Sequence, residues 1–141
     1  MLERVLVVDD DKALRGLLAL VGRRAGFEVD LAGDGVQALQ AMAGTDYLVV
    51  ILDLQMPNMN GFDVIQELRA RERRPSIIVL TAMPTSSLIG LDGNVVQAVI
   101  RKPFDVNLLT GILTELAATA RREWVAAPVS EADADEAIPP N

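Results

Sequence analysis

Residues 47–53 read YLVVILD, a run of six apolar residues that ends on an aspartate. A strand that is apolar at every position is buried on both faces, which is typical of a parallel sheet covered by helices on both sides. A second run of this kind lies near the N-terminus, where Val5–Val8 leads into Asp9, Asp10 and Asp11. Both runs therefore place carboxylates at the exit of a buried strand.

Helical segments alternate with five candidate strands along the chain. The predicted strands are Val5–Val8, Phe27–Ala32, Tyr47–Asp53, Ile77–Thr81 and Ala98–Arg101. The spacing of apolar residues predicts helices over residues 12–25, 34–44, 61–71 and 105–124. A βα unit repeated five times predicts an α/β fold, a doubly wound parallel sheet with right-handed crossovers. In such sheets the ligand site lies beyond the carboxyl ends of the strands.

The connection between the fourth and fifth strands departs from this pattern. Residues 83–99 read MPTSSLIGLDGNVVQAV and contain Pro84, Gly90 and Gly93. Each glycine costs about 1 kcal/mol relative to alanine in a helix interior. The helix between these two strands, which belongs to the fourth of the five βα units, is therefore predicted to be short, irregular or mobile.

Composition excludes several classes of function. The 141 residues suggest one domain, and the absence of cysteine and histidine removes disulfides, thiolate metal sites and the commonest general base. The net charge of −7 argues against a nucleic-acid-binding surface. The N-terminus resembles neither a signal peptide nor a membrane span, so a cytoplasmic protein without a membrane partner is predicted.

The end of the chain has a different composition. Residues 125–141, VAAPVSEADADEAIPPN, contain four acidic residues, three prolines and no basic residue. Without those four acids the charge of residues 1–124 is −7 + 4 = −3. The segment is predicted to be a disordered acidic tail, which leaves 1–124 as the folded domain.

Polar residues gather at one edge of the predicted sheet. Asp9 and Asp10 leave strand 1, Asp53 ends strand 3, Thr81 ends strand 4 and Lys102 follows strand 5. If strands 1 and 3 are neighbours, three carboxylates converge there, and such hard oxygen ligands suit Mg²⁺. Chance placement would scatter these residues over both edges of the sheet.

Four motifs together resemble the receiver domain of bacterial two-component response regulators. They are VLVVDDD, LVVILDLQMPNMNGFDVI, IIVLTA and VIRKPF, and the resemblance extends to about residue 122. The resemblance implies a flavodoxin-like (βα)5 fold with strand order 2-1-3-4-5. It also implies a signalling phosphoacceptor with only weak self-phosphorylation and autodephosphorylation.

The resemblance implies a role for each residue at the site. Asp53 would accept a phosphoryl group from a sensor histidine kinase or a phosphotransfer protein. Lys102 and the Thr81 hydroxyl would hold phosphoryl oxygens. Elementary chemistry agrees, because phosphoryl transfer needs an in-line nucleophile and cations that neutralise the equatorial oxygens.

Metal ligands and water control follow from the same resemblance. Asp10 and Asp53 would bind Mg²⁺ directly, Asp9 would act through water, and the backbone carbonyl of Gln55 would be a further ligand. The side chains of Gln55 and Met83 would lie where the hydrolytic water enters, and Met83 is expected to cover the site.

The output of the domain is expected to be unusual. Many relatives carry Tyr or Phe three residues before the lysine, where this chain has Val99. Valine is stiff at χ1 and too small to move between a buried and an exposed position. A signal is therefore expected to travel through the loop after Thr81. Because residues 125–141 are too few to fold, we expect a single-domain regulator that binds a downstream effector protein and makes no direct contact with DNA.

Two alternatives remain at this stage. A haloacid-dehalogenase-like phosphatase would use Asp9 as the nucleophile and Asp11 as the general acid, although Ala13 stands where that motif has Thr or Val and the chain is short. The two phosphoryl-transfer hypotheses differ in which aspartate carries phosphate.

The other alternative is a dinucleotide-binding domain. The run Gly33-Asp-Gly35-Val-Gln-Ala38 fits G-x-G-x-x-A between a strand and a helix, with Asp53 lying 18 residues beyond Gly35. That turn should be the first in the fold, however, and here the first turn holds three aspartates that would repel a pyrophosphate.

Overall fold

The computed structural model describes residues 3–126, which form a five-stranded sheet with helices on both faces. The strands are β1 (Arg4–Val8), β2 (Glu28–Ala32), β3 (Val49–Leu52), β4 (Ser76–Thr81) and β5 (Val96–Arg101). The α-helices are α1 (Lys12–Arg24), α2 (Gly35–Gly44), α3 (Gly61–Arg69) and α4 (Val106–Ala126). Within the described residues, no helix combines the length and apolar character that crossing a membrane requires.

The strand order is β2-β1-β3-β4-β5, and every neighbouring pair is parallel. This confirms the predicted doubly wound sheet and the order implied by the resemblance. The register pairs Val8 of β1 with Leu52 of β3. Asp9 and Asp53 are the next residues on each strand, so they leave the sheet side by side.

The core has two layers because successive side chains of a strand point to opposite faces. β1 shows the division most clearly. Val5 and Val7 belong to the apolar cluster that includes residues of α1 and α4. Leu6 and Val8 belong to the cluster that includes residues of α2 and α3. All four side chains are 0–1% exposed, which explains why the run has no polar alternation.

The connection between β4 and β5 contains a 3₁₀ turn, Thr85–Leu88, in place of an α-helix. The fourth βα unit therefore has a 3₁₀ turn where the other units have an α-helix, and the prediction of an irregular helix between these two strands is confirmed. Pro84 stands directly before the turn, and Gly90 and Gly93 follow it within five residues. These residues disfavour a longer helix, because proline lacks a backbone N–H and glycine has a low helix propensity.

Two side-chain contacts link this irregular connection to its neighbours. The Arg101 guanidinium donates a 3.0 Å hydrogen bond to the Thr85 hydroxyl, which ties the 3₁₀ turn to β5. Arg69 at the end of α3 pairs with Asp92 at 2.9 Å. Both contacts are solvent-exposed, so each contributes little to stability.

The C-terminal helix passes the boundary that the sequence predicted. α4 ends at Ala126, so residues 125 and 126 are helical, although they were assigned to the tail. The remainder of the predicted acidic tail, residues 127–141, lies outside the described residues.

Gly61→Ala should destabilise the protein because α3 begins against the backbone of β3. A Cβ at Gly61 would lie 2.4 Å from the carbonyl oxygen of Asp53, which cannot move without disturbing the strand end. We expect a loss of about 1–3 kcal/mol in unfolding free energy.

Gly111→Ala is the matched control, because a Cβ there meets nothing within 4 Å on helix α4. It should stabilise the protein by about 0.5–1 kcal/mol. Urea unfolding followed by circular dichroism measures both. Equal midpoints for the two variants would show that the close approach at Gly61 is not a constraint.

Candidate functional site

Three carboxylates meet at the carboxyl edge of the sheet. One oxygen from each of Asp9, Asp10 and Asp53 lies within 4.8 Å of the others. Asp9 is 1% exposed and Asp53 is 5% exposed, whereas Asp10 is solvent-exposed. The predicted convergence of strands 1 and 3 is therefore confirmed, and two of the three carboxylates are buried.

Lys102 supplies positive charge to this cluster. Its Nζ atom lies 3.0 Å from Asp9 Oδ2 and 3.5 Å from Asp53 Oδ2. The Lys102 backbone N–H also donates to the Thr81 carbonyl at 2.8 Å, so the residue continues the pairing of β5 with β4. The pairing of β5 with β4 therefore places Lys102 where its ammonium contacts both buried carboxylates.

The electrostatics of the site favour the binding of further positive charge. Burial raises the pKa of Asp53, and the charge of Asp9 adds to the effect, while the Gln55 N–H and Lys102 offset part of it. Burial acts to lower the pKa of Lys102, but its hydrogen bond to Asp9 and the charges of Asp53 and Asp9 outweigh burial and raise it. The charged form of Lys102 is therefore favoured, whereas burial and the charge of Asp9 disfavour the ionised form of Asp53.

Thr81 and Gln55 lie on the same edge as the carboxylates. Thr81 is fully buried, and its hydroxyl oxygen accepts a 3.0 Å hydrogen bond from the Met83 N–H. The hydroxyl proton of Thr81 is therefore left for another acceptor. The Gln55 N–H donates to Asp53 Oδ1 at 3.2 Å, and its side chain is exposed.

The sequence interpretation missed Arg15. Its Nη1 atom donates a 2.8 Å hydrogen bond to the carbonyl oxygen of Asp9 and so braces the turn that follows β1. Arg15 lies one helical turn after Asp11 on the same helix, which was the available signal. The direction of so long a side chain depends on the fold, however, and spacing alone does not predict it.

The interpretation also missed contacts between the start of α2 and the loop after β3. The Asn58 amide donates to Asp34 Oδ2 at 2.9 Å, and the Gly35 N–H donates to the Met59 carbonyl at 2.8 Å. A Cβ at Gly35 would lie 2.6 Å from that carbonyl oxygen. The glycine thus makes room for a neighbouring loop and not for a pyrophosphate, which removes the basis of the dinucleotide hypothesis.

Asp9 and Asp11 are engaged in ways that disfavour the phosphatase alternative. Asp9 Oδ1 accepts the Asp11 N–H at 2.9 Å, and its other oxygen faces Lys102. Asp11 caps α1 by accepting the N–H groups of Ala13 and Leu14. Neither carboxylate is arranged as a nucleophile with a general acid beside it.

The donor set fits a magnesium ion. Three carboxylate oxygens lie together, two of the carboxylates are buried, and among residues 3–126 only the Lys102 ammonium forms an ion pair with them. Hard oxygen donors with partial access to water are the environment that Mg²⁺ prefers, since it retains several water ligands. Asp9, Asp10 and Asp53 could therefore hold the ion.

Comparison with known sequences identifies a consistent set of relatives. The family model of the response regulator receiver domain matches residues 5–114. The DNA-binding response regulator MtrA of Mycobacterium tuberculosis is 42% identical over 106 residues, which cover 74% of this chain and 46% of MtrA. The transcriptional regulatory protein TcrA of the same organism is 35% identical over 89% of this chain and 49% of its own length. The chain thus spans about half the length of these curated relatives.

Solved structures with the same fold include two response regulators. The response regulator TrrA of Thermotoga maritima, in complex with Mg²⁺-BeF, is 33% identical with a TM-score of 0.72 and covers 81% of this chain and 98% of TrrA. The chemotaxis response regulator CheY4 of Vibrio cholerae is 28% identical with a TM-score of 0.73, over 82% of this chain and 99% of CheY4.

Proposed function

This chain belongs to the response regulator receiver domain family, and from that premise we propose that Asp53 is the residue that accepts the phosphoryl group. The observation that carries the assignment is the placement of Asp53 beside Asp9, Asp10 and Lys102 at one sheet edge. Intact-mass measurement after incubation with acetyl phosphate and Mg²⁺ tests it, since the protein should gain one phosphoryl group.

The reaction begins with attack by one Asp53 carboxylate oxygen on the phosphorus of a donor. With a phosphohistidine donor, the new O–P bond forms as the N–P bond breaks, and the electron pair returns to the imidazole nitrogen. The Gln55 N–H holds Asp53 Oδ1, and the Lys102 ammonium lies 3.5 Å from Oδ2. These contacts orient the carboxylate, which is the main contribution that a protein makes to phosphoryl transfer.

Lys102 and Thr81 then hold the transferred group. The ammonium already lies between Asp9 and Asp53, so a small movement of its flexible side chain would bring it to a phosphoryl oxygen. The Thr81 hydroxyl has a proton to donate, because its oxygen accepts from Met83 N–H. Both contacts offset the negative charge that the phosphoryl group introduces.

Asp9, Asp10 and Asp53 would hold Mg²⁺, with the Gln55 backbone carbonyl as a further ligand and Asp9 acting through water. When bound, Mg²⁺ supplies positive charge against the phosphoryl oxygens. Asp9 is held by the Asp11 N–H, and its backbone is braced by Arg15, so this side of the site is ordered before any ion binds.

The physiological donor in this proposal is a sensor histidine kinase or a phosphotransfer protein, and the phosphorylated domain binds a downstream effector protein. A weak reaction with small phosphoryl donors and slow autodephosphorylation belong to the same proposal. The names of MtrA and TcrA describe DNA-binding and transcriptional regulation, which are properties of those longer proteins. That this chain makes no direct contact with DNA stays a prediction.

Met83→Glu and Met83→Asn should alter the rate of phosphoryl loss from Asp53 more than the affinity for Mg²⁺. Met83 is half-buried next to the Thr81 hydroxyl and is expected to cover the site, and a polar side chain there can bind the hydrolytic water. We expect the rate to change by about threefold or more, because ordered water is sensitive to such partners. Timed intact-mass measurements after removal of the donor follow the loss.

Ser86→Glu is the control for these variants, because it adds a carboxyl group at an exposed position of the 3₁₀ turn. Its dephosphorylation rate should match that of wild type. Equal rates for wild type and both Met83 variants would contradict the proposed role of Met83.

Beryllofluoride with Mg²⁺ should protect backbone amides in residues 82–95 from hydrogen exchange. This segment contains the exposed 3₁₀ turn and directly follows Thr81, whose movement toward a phosphoryl group would pull on it. Val99→Ala should preserve the response, since Val99 is 43% exposed and stiff at χ1. Thr81→Ala should abolish it. Protection centred on Val99 and α4, with residues 82–95 unchanged, would oppose this route.

A further inference from the structure

The loop between β3 and α3, residues 53–60, carries Asp53 and Gln55, and its far side rests on the start of α2. Asn58 donates to Asp34 across 24 residues of sequence, and Gly35 donates to the carbonyl of Met59. We refer to Asp34, Gly35, Asn58 and Met59 as the loop contact. None of these four residues belongs to the phosphoryl or metal site proposed above.

Helix capping alone does not account for the burial of Asp34 or for its hydrogen bond to Asn58. Asp11 and Asp105 also begin helices, and each uses Oδ1 to accept two backbone N–H groups while the residue stays exposed. Asp34 is 8% exposed, with Oδ1 on the Gln37 N–H at 2.9 Å and Oδ2 on the Asn58 amide. A carboxylate is costly to bury unless both oxygens are hydrogen-bonded, so the second bond is part of the reason for its burial.

Asn58 adopts a conformation that only a few residue types tolerate. Its φ of 65° lies in the left-handed region, and within residues 3–126 it is the one residue other than glycine there. Such a conformation persists where surrounding contacts determine it. The hydrogen bond to Asp34 and the 2.7 Å hydrogen bond from the Met59 N–H to the Pro57 carbonyl are those contacts.

The other end of the loop is fixed on the phosphoacceptor strand. The Gly61 N–H donates to the Leu54 carbonyl at 3.1 Å, and a Cβ at Gly61 would lie 2.4 Å from the Asp53 carbonyl oxygen. Gln55 therefore lies between two fixed points, one on β3 and one on α2. Releasing the second point leaves the backbone around Gln55 free to move.

We propose that Asp34 and Asn58 are positioning residues for the phosphoryl and metal site, which act by holding the loop that carries Gln55. This inference rests on the proposed function, because Gln55 is assigned there as a carbonyl ligand of Mg²⁺. The two residues increase the affinity for Mg²⁺ through preorganisation, because a loop that is already held in its binding conformation loses less entropy when the ion binds. The hydrogen bonds from the Gln37 N–H and the Asn58 amide hold the pKa of Asp34 below its usual value, so the carboxylate is ionised at neutral pH.

Asn58→Gly tests the proposal by removing the amide while keeping a residue that tolerates positive φ. Titration with Mg²⁺ by calorimetry should show a Kd about threefold to tenfold higher than that of wild type. This effect is smaller than that of removing a residue hydrogen-bonded to a metal ligand, since Asn58 acts through the loop backbone. Hydrogen exchange without metal should be faster by about threefold or more at the amides of residues 55–60.

The exchanged pair Asp34→Asn with Asn58→Asp should restore the wild-type values. Asn at position 34 still offers Oδ1 to the Gln37 N–H and can donate its amide to the new carboxylate, so the hydrogen bond reverses while the net charge stays the same. We expect a Kd within about twofold of wild type. Asn58→Asp alone places two carboxylates next to each other, so they repel. Hydrogen exchange at the amides of residues 55–60 should then be fast, which makes this a second disruptive variant.

Asp105→Ala is the control for lost stability, because it removes a helix cap worth about 1 kcal/mol from another loop. Its Mg²⁺ affinity should equal that of wild type. Wild-type affinity and exchange in Asn58→Gly, or failure of the exchanged pair to restore them, would overturn the inference. Neither measurement needs phosphorylation, so a wild-type protein that takes up no phosphoryl group would contradict only the proposed function.

Discussion

Asp53→Asn should gain no phosphoryl group from acetyl phosphate under conditions in which the wild-type protein gains one per chain. The amide that replaces the carboxylate is not nucleophilic, and it also removes a charged oxygen from the metal cluster. Its Mg²⁺ affinity should therefore fall as well. Intact mass after incubation shows whether uptake of the phosphoryl group needs the Asp53 carboxylate. The same measurement in excess chelator shows whether uptake needs the metal ion.

Two control variants separate Asp53 from its neighbours. Asp9→Asn should still accept the group, more slowly, because Asp9 belongs to the metal cluster and is not the nucleophile; complete loss here with retention in Asp53→Asn would favour the phosphatase alternative. Asp46→Asn should behave as wild type, since Asp46 is exposed at the opposite end of β3. A phosphoryl group gained in chelator would contradict the metal requirement.

Lys102→Met should lower both the unfolding free energy and the rate of phosphorylation. The ammonium pairs with two buried carboxylates, and its removal leaves them uncompensated. Lys102 is partly exposed, so we expect a loss of about 2–3 kcal/mol, below the range for a fully buried pair. Mg²⁺ should bind more tightly to the variant, because a competing cation has left the cluster.

Lys12→Met is the matched control, because Lys12 is the other lysine of the chain and lies exposed at the start of α1. Its unfolding free energy should stay within about 0.5 kcal/mol of wild type. Asp9→Asn combined with Lys102→Met should lose less than Lys102→Met alone, since both partners of the closer ion pair are then gone. Urea unfolding in metal-free buffer measures all three, and a wild-type midpoint for Lys102→Met would refute the electrostatic account.

The sequence alone predicted the sheet and the edge on which the carboxylates gather. Unbroken apolar runs such as Val5–Val8, alternating with helical segments, are typical of a parallel sheet covered on both faces. Parallel strands have all their carboxyl ends at one edge, so Asp9 and Asp53 had to leave on the same side. The glycines and the proline after Thr81 likewise predicted an irregular connection, because their effect on helix formation is local.

The tertiary structure decided which groups contact one another at that edge. That Lys102 lies nearer to Asp9 than to Asp53, that Arg15 reaches the Asp9 carbonyl, and that Asn58 holds Asp34 are all observations of the fold. These contacts join loops that are far apart in sequence, so they depend on strand order and register. Periodicity and turn residues report local conformation only, and the packing of distant segments determines the direction of each long side chain.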